Sequence, residues 1–376
     1  MLGFVRHLMP YRGLPIGVDL GDYAIRLAQV EMANEELRLI HADEIPIDAG
    51  LQGESRSQAL VAAIRAAFRR GAFQGRQIAV GLPASAVQIK HLRMPRSTGV
   101  DFAHSLAEHA TTALNAPAAD FMIRGVVAGD VQGEQVSEQE VVLFATPRET
   151  IHQLLEDAAT AKVDVVGVHV QQKITCEYFS RLYRRSADGT AVNLFIDLGA
   201  SGMRACVASP WDIRFVRTMP ISITQIHERI ARQLGLALKD AAALRQSLVA
   251  LQVAPSGNLS ANENRLTPAQ QRLADETTLA ASKLAEELDM CRRYYDSTFP
   301  NQPVTRLIFV GGGARDRPLC AAIAQAMTLP AQIGDPLVRF NRSALPTLTC
   351  IDRREAMPQW SMAFGLSLCG QTVALV

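Results

Sequence analysis

The sequence predicts an α/β protein of two similar halves, and three observations lead to this prediction. Short apolar strands alternate along most of the chain with helices whose apolar positions recur every three or four residues. Each half opens with a strand that ends in Asp-x-Gly, at Asp19 and at Asp197, and further strands follow each one. A third buried strand, at residues 307–310, runs into three consecutive glycines.

The first half begins with strands and then alternates helices with strands. Its predicted strands are rich in Ile, Val and Leu and lie at residues 14–20, 23–32, 37–45, 77–82 and 163–170. Its predicted helices each carry one apolar face and lie at residues 57–70, 146–158 and 174–183. Gly71 is expected to end the first helix. Thr146, Pro147 and Glu149 predict a capping box at the start of the second.

Residues 86–144 interrupt this order with a small α+β insert. A helix is expected after Thr98 and Asp101, which resemble a capping box, and a polar turn is expected at residues 129–138. The flanking strands are predicted at residues 87–92, 121–128 and 141–145. We therefore expect a first lobe at residues 1–190, with an inserted subdomain at about residues 84–144.

The second half repeats the opening of the first. Its strands are predicted at residues 191–197, 202–208, 213–218 and 307–310. Helices are expected at residues 224–234 and 239–251, then from a capping box at Thr267 and Gln270, and later through Ile323 and Met327. A polar loop is expected at residues 254–264. We expect a second lobe at residues 191–376, with a helical subdomain at about residues 236–302.

The two Asp-x-Gly turns and the glycine run predict a phosphate-binding cleft when they are taken together. A tight turn after a strand can present backbone N–H groups to an anion, and the carboxylate before it can hold a hydrated Mg²⁺ ion. Glycines after a buried strand let a ligand approach the backbone. Each signal alone is also typical of an ordinary turn. Their order, each behind a buried strand, favours a cleft shaped for a nucleotide.

Composition excludes several classes of protein. The formal net charge is +1, whereas nucleic-acid binders usually carry a basic excess, so nucleic acid is not expected as a partner. The six cysteines are scattered without CxxC pairs, which indicates reduced core residues rather than metal ligands or disulfides. Neither end approaches the roughly 20 apolar residues of a membrane span. The histidines and serines show no metal-ligand spacing and no hydrolase motif.

Further segments indicate a family. They are residues 81–95 (GLPASAVQIKHLRMP), 141–158 (VVLFATPRETIHQLLEDA), 218–236 (TMPISITQIHERIARQLGL) and 286–296 (EELDMCRRYYD). With the ordered trio of turns, they make the chain resemble the actin-like ATPase superfamily of actin, heat-shock chaperone ATPase domains, MreB and FtsA. More specifically, the chain resembles the PilM family of type IV pilus assembly. The resemblance implies an actin-like ATPase fold, with two duplicated lobes around a nucleotide cleft and an insert placed as in PilM and FtsA.

The resemblance also implies roles for individual residues. Asp19 and Asp197 would hold Mg²⁺ through water, and Gln171 would orient the water that attacks ATP. The phosphate loops would be Gly21 with Asp22 and Arg26 in the first half, and Gly199, Ser201 and Gly202 in the second. Ribose would contact Arg245 and Gln246, and adenosine would contact Gly311, Gly312, Gly313 and Arg315.

Three positions depart from the family pattern. Asp22 stands where Ser or Thr is usual, Arg26 where Lys is common, and Gln171 is a poorer base than Glu. A second carboxylate about 4 Å from a phosphate costs roughly 1 to 4 kcal/mol for effective dielectric constants of 80 down to 20. Weak or absent ATP hydrolysis, and impaired ATP binding, are therefore expected.

The resemblance implies a cytoplasmic scaffold of a type IV pilus or a related secretion machine, peripheral at the inner face of the inner membrane. Its expected partners are the cytoplasmic N-terminal peptide of a bitopic, PilN-like inner-membrane protein and other pilus assembly components. The peptide contacts are expected within residues 86–144, and ATP would set the angle between the halves. Two alternatives stay open at this point. One is an active ATPase or sugar kinase of the same superfamily, and the other is a degenerate adaptor that binds no nucleotide.

Overall fold

The computed structural model describes residues 14–33, 36–48, 50–132, 137–219, 221–253 and 267–370. Within the described residues, the contacts divide the chain into two compact units. The first unit combines the described parts of residues 1–87, 146–182 and 336–376, and the second combines residues 88–145 and 183–335. The insert therefore belongs to the same unit as the second sheet, and the end of the chain belongs to the same unit as the first sheet.

The sheet of the first unit has five strands in the order β3-β2-β1-β4-β8. These strands are β1 (Ile16–Leu20), β2 (Ala24–Ala33), β3 (Glu36–Pro46), β4 (Gln77–Gly81) and β8 (Asp164–His169). The pairs of β1 with β2 and of β2 with β3 are antiparallel, whereas β4 and β8 continue the sheet in parallel. The predicted meander of three strands is confirmed.

The sheet of the second unit repeats this topology in the order β11-β10-β9-β12-β13. Its strands are β9 (Asn193–Leu198), β10 (Met203–Ala208), β11 (Ile213–Met219), β12 (Arg306–Val310) and β13 (Ala331–Ile333). The first three pair in antiparallel fashion, and β12 and β13 extend the sheet in parallel. Five strands with the same order and directions in both units confirm that the two halves are structural repeats.

The helices of the first unit cover both faces of its sheet. They are α1 (Gly53–Arg70), α3 (Arg148–Ala161), α4 (Gln171–Leu182) and α9 (Ser361–Cys369). On one face, Leu60 and Ile64 of α1 and Leu154 of α3 join the buried residues of β1 and β4. Gly71 ends α1 in the left-handed conformation, with φ of 88°, as its position predicts.

Helix α9 packs on the opposite face of the first sheet, and all of its residues are buried. Glycines allow this close packing. A Cβ on Gly17 would collide with the carbonyl oxygen of Ala363, and one on Gly81 would collide with Met362. The hydroxyl of Ser367 donates to the carbonyl of Pro15 (2.7 Å) and accepts from the N–H of Val30 (3.0 Å). The sequence pattern did not predict α9, because a fully buried helix shows no apolar periodicity.

The second unit contains α5 (Ile223–Leu234), α6 (Leu238–Val253), α7 (Pro268–Thr298) and α8 (Arg317–Met327). The capping box that begins α7 is confirmed, because Thr267 Oγ1 accepts from the N–H of Gln270 and Gln270 Oε1 accepts from the N–H of Thr267. Every residue of the predicted apolar stripe on α7 is buried, namely Leu273, Thr277, Ala280, Leu284, Leu288, Cys291 and Tyr295. The predicted loop at residues 254–264 lies outside the described residues.

The insert consists of α2 (Gly99–Leu114) and a three-stranded sheet ordered β5-β7-β6. The strands are β5 (Gln88–Pro95), β6 (Phe121–Gln132) and β7 (Ser137–Pro147), which confirms the predicted α+β insert. A cluster of polar side chains around the buried Glu140 joins the insert to β11 and α7. Glu140 Oε1 accepts from the Tyr294 hydroxyl (3.2 Å) and lies 3.2 Å from His91 Nδ1, while His91 Nε2 lies 2.9 Å from the carbonyl oxygen of Val216.

Two predicted helix starts differ from the structure. Thr146 does not cap α3, because β7 continues through Pro147 and places Thr146 in the sheet, where it is buried. Thr98 is the N-cap residue of α2, but its side chain makes no capping hydrogen bond. At Thr146 the cause is the extension of β7, which makes Pro147 the N-cap residue of α3. Nothing in the structure explains the missing capping bond of Thr98.

Three further expectations concern the cysteines, metal sites and membrane spans. None of the six cysteines, all of which lie in the described part of the chain, forms a disulfide bond, and five of them are buried. Among the described residues, no group of three or more His, Cys, Asp or Glu side chains is arranged to hold a metal ion. No helix in the described part of the chain is both long enough and apolar enough to cross a membrane.

Candidate functional site

The first Asp-x-Gly turn lies where β1 ends in the sheet of the first unit. Asp19 is opposite Arg26 on β2 and opposite Gly81 on β4. Gly21 is required by the tight turn, because a Cβ there would lie 2.6 Å from the carbonyl oxygen of Ala24. The turn therefore has the geometry that its sequence predicts.

A row of charged side chains crosses the three strands beside this turn. Arg26 donates from Nε to Glu44 Oε2 at 2.5 Å, and its Nη1 lies 3.9 Å from Asp19 Oδ2. Asp19 on β1 is opposite Arg26 on β2, and Arg26 is in turn opposite Glu44 on β3. Arg26 is thus shared by two carboxylates and bonds more closely to Glu44.

The environment of Asp19 makes its ionised form less favourable than it is in water. Burial raises the pKa of Asp19 to about 6, and the guanidinium of Arg26 opposes this increase. Asp22 and Glu44 raise the pKa of Asp19 further, because each is a like charge. The extra carboxylate at position 22 therefore makes ionisation of Asp19 less favourable.

The second Asp-x-Gly turn has the same construction as the first. Asp197 on β9 is opposite Arg204 on β10 and opposite Val310 on β12. A Cβ on Gly199 would collide with the carbonyl oxygen of Gly202, just as one on Gly21 would meet that of Ala24 three residues later. The two turns are therefore equivalent in strand register and in their need for glycine.

The start of α5 is fastened to the second turn. The N–H groups of Ile223 and Thr224 donate to the carbonyl oxygens of Gly199 and Ala200, each at 3.2 Å. Ser222 caps the helix by accepting from the N–H of Gln225. These first amides of α5 are engaged by the protein itself, so a phosphate would have to use the amides of the turn instead.

The glycine run lies directly against the second turn. A Cβ on Gly311, whose φ is +82°, would collide with Asp197 Oδ1, and one on Gly313 would lie 2.7 Å from Ile223 and 2.8 Å from Leu198. Gly312 is exposed and has no atom within 4 Å of the Cβ position. Packing within the protein therefore explains two of the three glycines, and Gly312 is the one with open space beside it.

Arg245 and Gln246, the candidate ribose contacts, lie on α6 and differ in exposure. The side chain of Arg245 is buried and pairs with Asp316 Oδ2 at 2.5 Å, while Gln246 is exposed. Asp316 also caps α8 by accepting from the N–H of Leu319. Burial lowers the pKa of the neighbouring His227 to about 4, with Arg245 acting in the same direction and Asp316 opposing it.

The remaining candidate residues belong to separate parts of the two units. Ser201 and Arg315 are exposed in the second unit, next to the turn and the glycine run respectively. In the first unit, Gln171 begins α4 after β8, where His169 is in register with Gly81. Gln171 thus lies just beyond the end of β8, at the same edge of the sheet as Asp19. The structure brings together Asp197, Gly199 and Gly311–Gly313, and separately Asp19, Gly21 and Arg26.

Two residues beside the turns were not predicted from the sequence. Arg56 on α1 donates to the carbonyl oxygens of Leu20 and Gly21, both at 3.2 Å. Arg204 faces Asp197 as Arg26 faces Asp19. The sequence did contain a signal for Arg204, because each Asp-x-Gly aspartate is followed seven residues later by an arginine.

The model of the family described as type IV pilus assembly protein PilM matches residues 17–371. The chain belongs to the PilM family. Among curated protein sequences, none matches the chain significantly. The family match covers both Asp-x-Gly turns, the insert and the glycine run of this PilM-family chain.

Solved structures establish the fold of this PilM-family chain. The structure of a PilM-PilN type IV pilus biogenesis complex aligns with a TM-score of 0.74 and 19% identity, over 96% of this chain and 99% of that one. The ethanolamine utilization protein EutJ from Carboxydothermus hydrogenoformans aligns with a TM-score of 0.52 and 12% identity, over 97% of this chain and 93% of that one. MreB 5 of Spiroplasma citri, bound to AMPPNP, aligns with a TM-score of 0.51 and 10% identity, over 96% of each chain. The actin-like ATPase fold is confirmed.

Proposed function

We propose that this PilM-family chain is a cytoplasmic scaffold of type IV pilus assembly that binds the cytoplasmic N-terminal peptide of a PilN-like inner-membrane protein. The observation that carries the proposal is the family match over residues 17–371. It is supported by the likeness to a solved chain whose title names a PilM-PilN complex. On this proposal, the chain is held at the inner face of the inner membrane by its partners, among them other pilus assembly components.

The peptide site is proposed to involve the insert. Val100 on α2 supports this choice, because its apolar side chain is 86% exposed. A peptide that covers Val100 would gain the free energy of burying this apolar surface. The proposal thus names a surface on the insert that a single substitution can change.

Titration of the full chain with a synthetic PilN-like N-terminal peptide tests this part of the proposal. We expect saturable binding, no binding of a scrambled peptide, and binding at least tenfold weaker for Val100→Asp. Leu279→Asp on α7 is the matched control, because Leu279 is also an exposed apolar side chain, at 42%, and lies outside the insert. Absence of peptide binding with and without ATP would refute the scaffold proposal.

ATP with Mg²⁺ is proposed to modulate this scaffold. The chemistry of the two turns supports nucleotide binding, because each presents a carboxylate at a strand end followed by a glycine turn. Carboxylate oxygens are ligands that Mg²⁺ prefers, and Asp19 and Asp197 are the candidates. In bound ATP, Mg²⁺ would neutralise phosphate charge, while Gly312 and Arg315 would contact the adenosine and Gln171 would orient water.

A degenerate adaptor is the second candidate function, and Asp22 favours it. Asp22 adds a like charge that already raises the pKa of Asp19, and the same charge would repel a terminal phosphate. Isothermal titration with ATP and Mg²⁺ separates the two functions. Measurable binding supports the modulated scaffold, while binding only after Asp22→Ser supports the adaptor. ATP turnover stimulated by a small acceptor and lost in Asp197→Ala would instead support a kinase.

A further inference from the structure

Basic side chains collect at one end of the first unit. At this end α1 and α3 finish and the strands β4 and β8 begin. Residues 65–76 and 159–164 carry five cations here against one carboxylate, that of Asp164. The cations are all exposed, and we call them the basic face: Arg65, Arg69, Arg70, Arg76 and Lys162.

Hydrogen bonds join the two segments of the basic face. Arg65 Nη2 donates to the carbonyl oxygen of Thr160 at 2.6 Å, and Arg76 Nη1 donates to that of Lys162 at 2.8 Å. The N–H of Asp164 donates to the carbonyl oxygen of Arg76 at 2.9 Å. Because these bonds connect the segment before β4 with the segment before β8, the cations share one surface.

Capping and ion pairing account for part of the face. The two arginines that donate to carbonyls at the end of α3 occupy a place where cations are favoured. Arg70 Nη1 donates to both carboxylate oxygens of Asp43, at 2.6 and 2.8 Å. No described residue forms a hydrogen bond or an ion pair with the side chain of Arg69 or Lys162. The needs of the fold therefore do not explain the whole face.

The chain enters the first unit beside this face. Gln29 Nε2 donates to the carbonyl oxygens of Leu14 (3.1 Å) and Gln74 (2.8 Å), and Gln74 lies in the loop that carries Arg76. Residues 1–13, before Leu14, read MLGFVRHLMPYRG and contain large apolar residues, two arginines and no Asp or Glu. This mixture of apolar and basic residues is typical of segments that lie at a membrane surface.

Acidic residues also lie at this end of the first unit. The hairpin of β2 and β3 carries three glutamates and one arginine within residues 31–38. In the strand order, β2 is three strand spacings from β8, about 14 Å, whereas the Debye length is about 10 Å at 0.1 M salt. The hairpin therefore acts only weakly on cations beside β8 such as Lys162, and Arg6 and Arg12 add positive charge to the face.

We propose that the basic face binds an anionic lipid surface, and that apolar side chains of residues 1–13 enter the same surface. Charge selects the headgroups, because each basic residue near an anionic leaflet strengthens binding roughly fivefold. Apolar insertion selects a bilayer over other polyanions, since a bilayer also offers an apolar interior. The inference goes beyond the proposed function and does not rest on binding of a PilN-like peptide or of ATP.

Co-sedimentation of the full chain with lipid vesicles, without peptide or nucleotide, tests the proposal. We expect binding to vesicles that contain phosphatidylglycerol, no measurable binding to vesicles of phosphatidylcholine alone, and weaker binding at high salt. Arg69→Gln combined with Lys162→Gln is expected to bind about tenfold more weakly or worse. Lys239→Gln combined with Lys283→Gln is the matched control, because it removes the same charge from exposed lysines of the second unit.

A second pair of substitutions tests the apolar contribution. Phe4→Ser combined with Leu8→Ser is expected to weaken binding about tenfold or more, because two apolar side chains no longer enter the bilayer. Leu279→Ser combined with Met290→Ser is the control, since these α7 side chains are apolar and 42% and 45% exposed. Duplex DNA and polyglutamate are the competing polyanions, and we expect both to bind more weakly than the vesicles.

Several results would overturn the proposal. Equal binding to charged and uncharged vesicles, or unchanged binding in Arg69→Gln with Lys162→Gln, would show that the basic face takes no part. Unchanged binding in Phe4→Ser with Leu8→Ser, or equally tight binding of either polyanion, would show a general polyanion site instead of a lipid site. Absence of vesicle binding overturns the inference and leaves the proposed binding of a PilN-like peptide intact. Thermal unfolding identifies a variant that fails to fold, and Arg69→Gln alone, expected to lose about fivefold, then supplies the comparison.

Discussion

Gly311 lies against the carboxylate of Asp197, so that no side chain at position 311 fits beside Asp197 Oδ1. This contact joins the end of β9 to the start of the glycine run, and Gly311 also has a φ of +82°. The residue thus has two independent reasons to be glycine, one steric and one conformational. A substitution here tests whether the second turn and the glycine run form one structural unit.

Gly311→Ala is expected to destabilise the protein by about 2 kcal/mol or more, because a positive φ and a steric collision act together. ATP binding, where the unaltered protein shows it, is expected to be lost with the position of Asp197. Urea denaturation measures the stability. Gly312→Ala is the matched control, since its Cβ would enter open space, and an equal effect of both substitutions would contradict the prediction.

Thr267→Ala is expected to cost about 1 kcal/mol of stability, because it removes the side-chain acceptor for the N–H of Gln270. Thr98→Ala is the control on α2. Thr98 occupies the same N-cap position without a side-chain capping bond, so we expect a change within a few tenths of a kcal/mol. Denaturant unfolding under the same conditions measures the stability of both variants. Equal losses of stability would show that the capping bond of Thr267 contributes nothing.

His227 is expected to make the protein less stable in mild acid. Its pKa is lowered to about 4 by burial, while an unfolded histidine has a pKa near 6.5, so the unfolded chain binds more protons between these values. Stability contributed by neutral His227 is therefore present above pH 6.5 and lost as the pH falls to about 4. The loss is about 1 to 3 kcal/mol.

The check is the pH dependence of the melting temperature between pH 7 and pH 4. His227→Gln should flatten the profile, because glutamine does not titrate in this range. His152→Gln, which changes an exposed histidine on α3, should leave the profile unchanged. An unchanged slope in His227→Gln would show that other groups cause the acid sensitivity.

Gly17→Ala is expected to loosen α9 from the first sheet, because the added Cβ would collide with the backbone carbonyl of Ala363. Overpacking of this kind costs about 1 to 3 kcal/mol. Hydrogen exchange of α9 measures the effect locally, and we expect faster exchange there than in α7. Gly189→Ala is the control, since a Cβ at that position meets no atom within 4 Å. Unchanged exchange in α9 would show that the helix can shift to accept the methyl group.

Local signals in the sequence predicted much of the fold. Thr267 and Gln270 lie three residues apart, so their capping box depends on nothing distant and was predicted correctly. The equivalent pattern at Thr146 failed because β7 extends through it, and only the pairing of distant strands decides that extension. Helix α9 was not predicted for a related reason, since burial on every side removes the periodicity on which prediction depends.

The parts of the candidate site that are formed by residues close in sequence were predictable. The parts that are formed by contacts between distant residues were less so. The two Asp-x-Gly turns were located from the sequence, and the structure gives them equivalent registers. The buried pair of Arg245 with Asp316 joins residues far apart in sequence, so no spacing indicated it. The collision that fixes Gly311 was also hidden, because a glycine run alone suggests room for a ligand, whereas here the space is filled by Asp197.

The attachment of α9 to the first sheet also imposes an order on folding during synthesis. The bond between Val30 and Ser367 joins residues 337 positions apart. At about 5–20 residues per second, a ribosome takes roughly 17 to 70 s to cover that distance. During this time one face of the nascent sheet lacks the helix that buries it. The unit whose strands leave the ribosome first therefore reaches its final packing only after the strands of the other unit have been made.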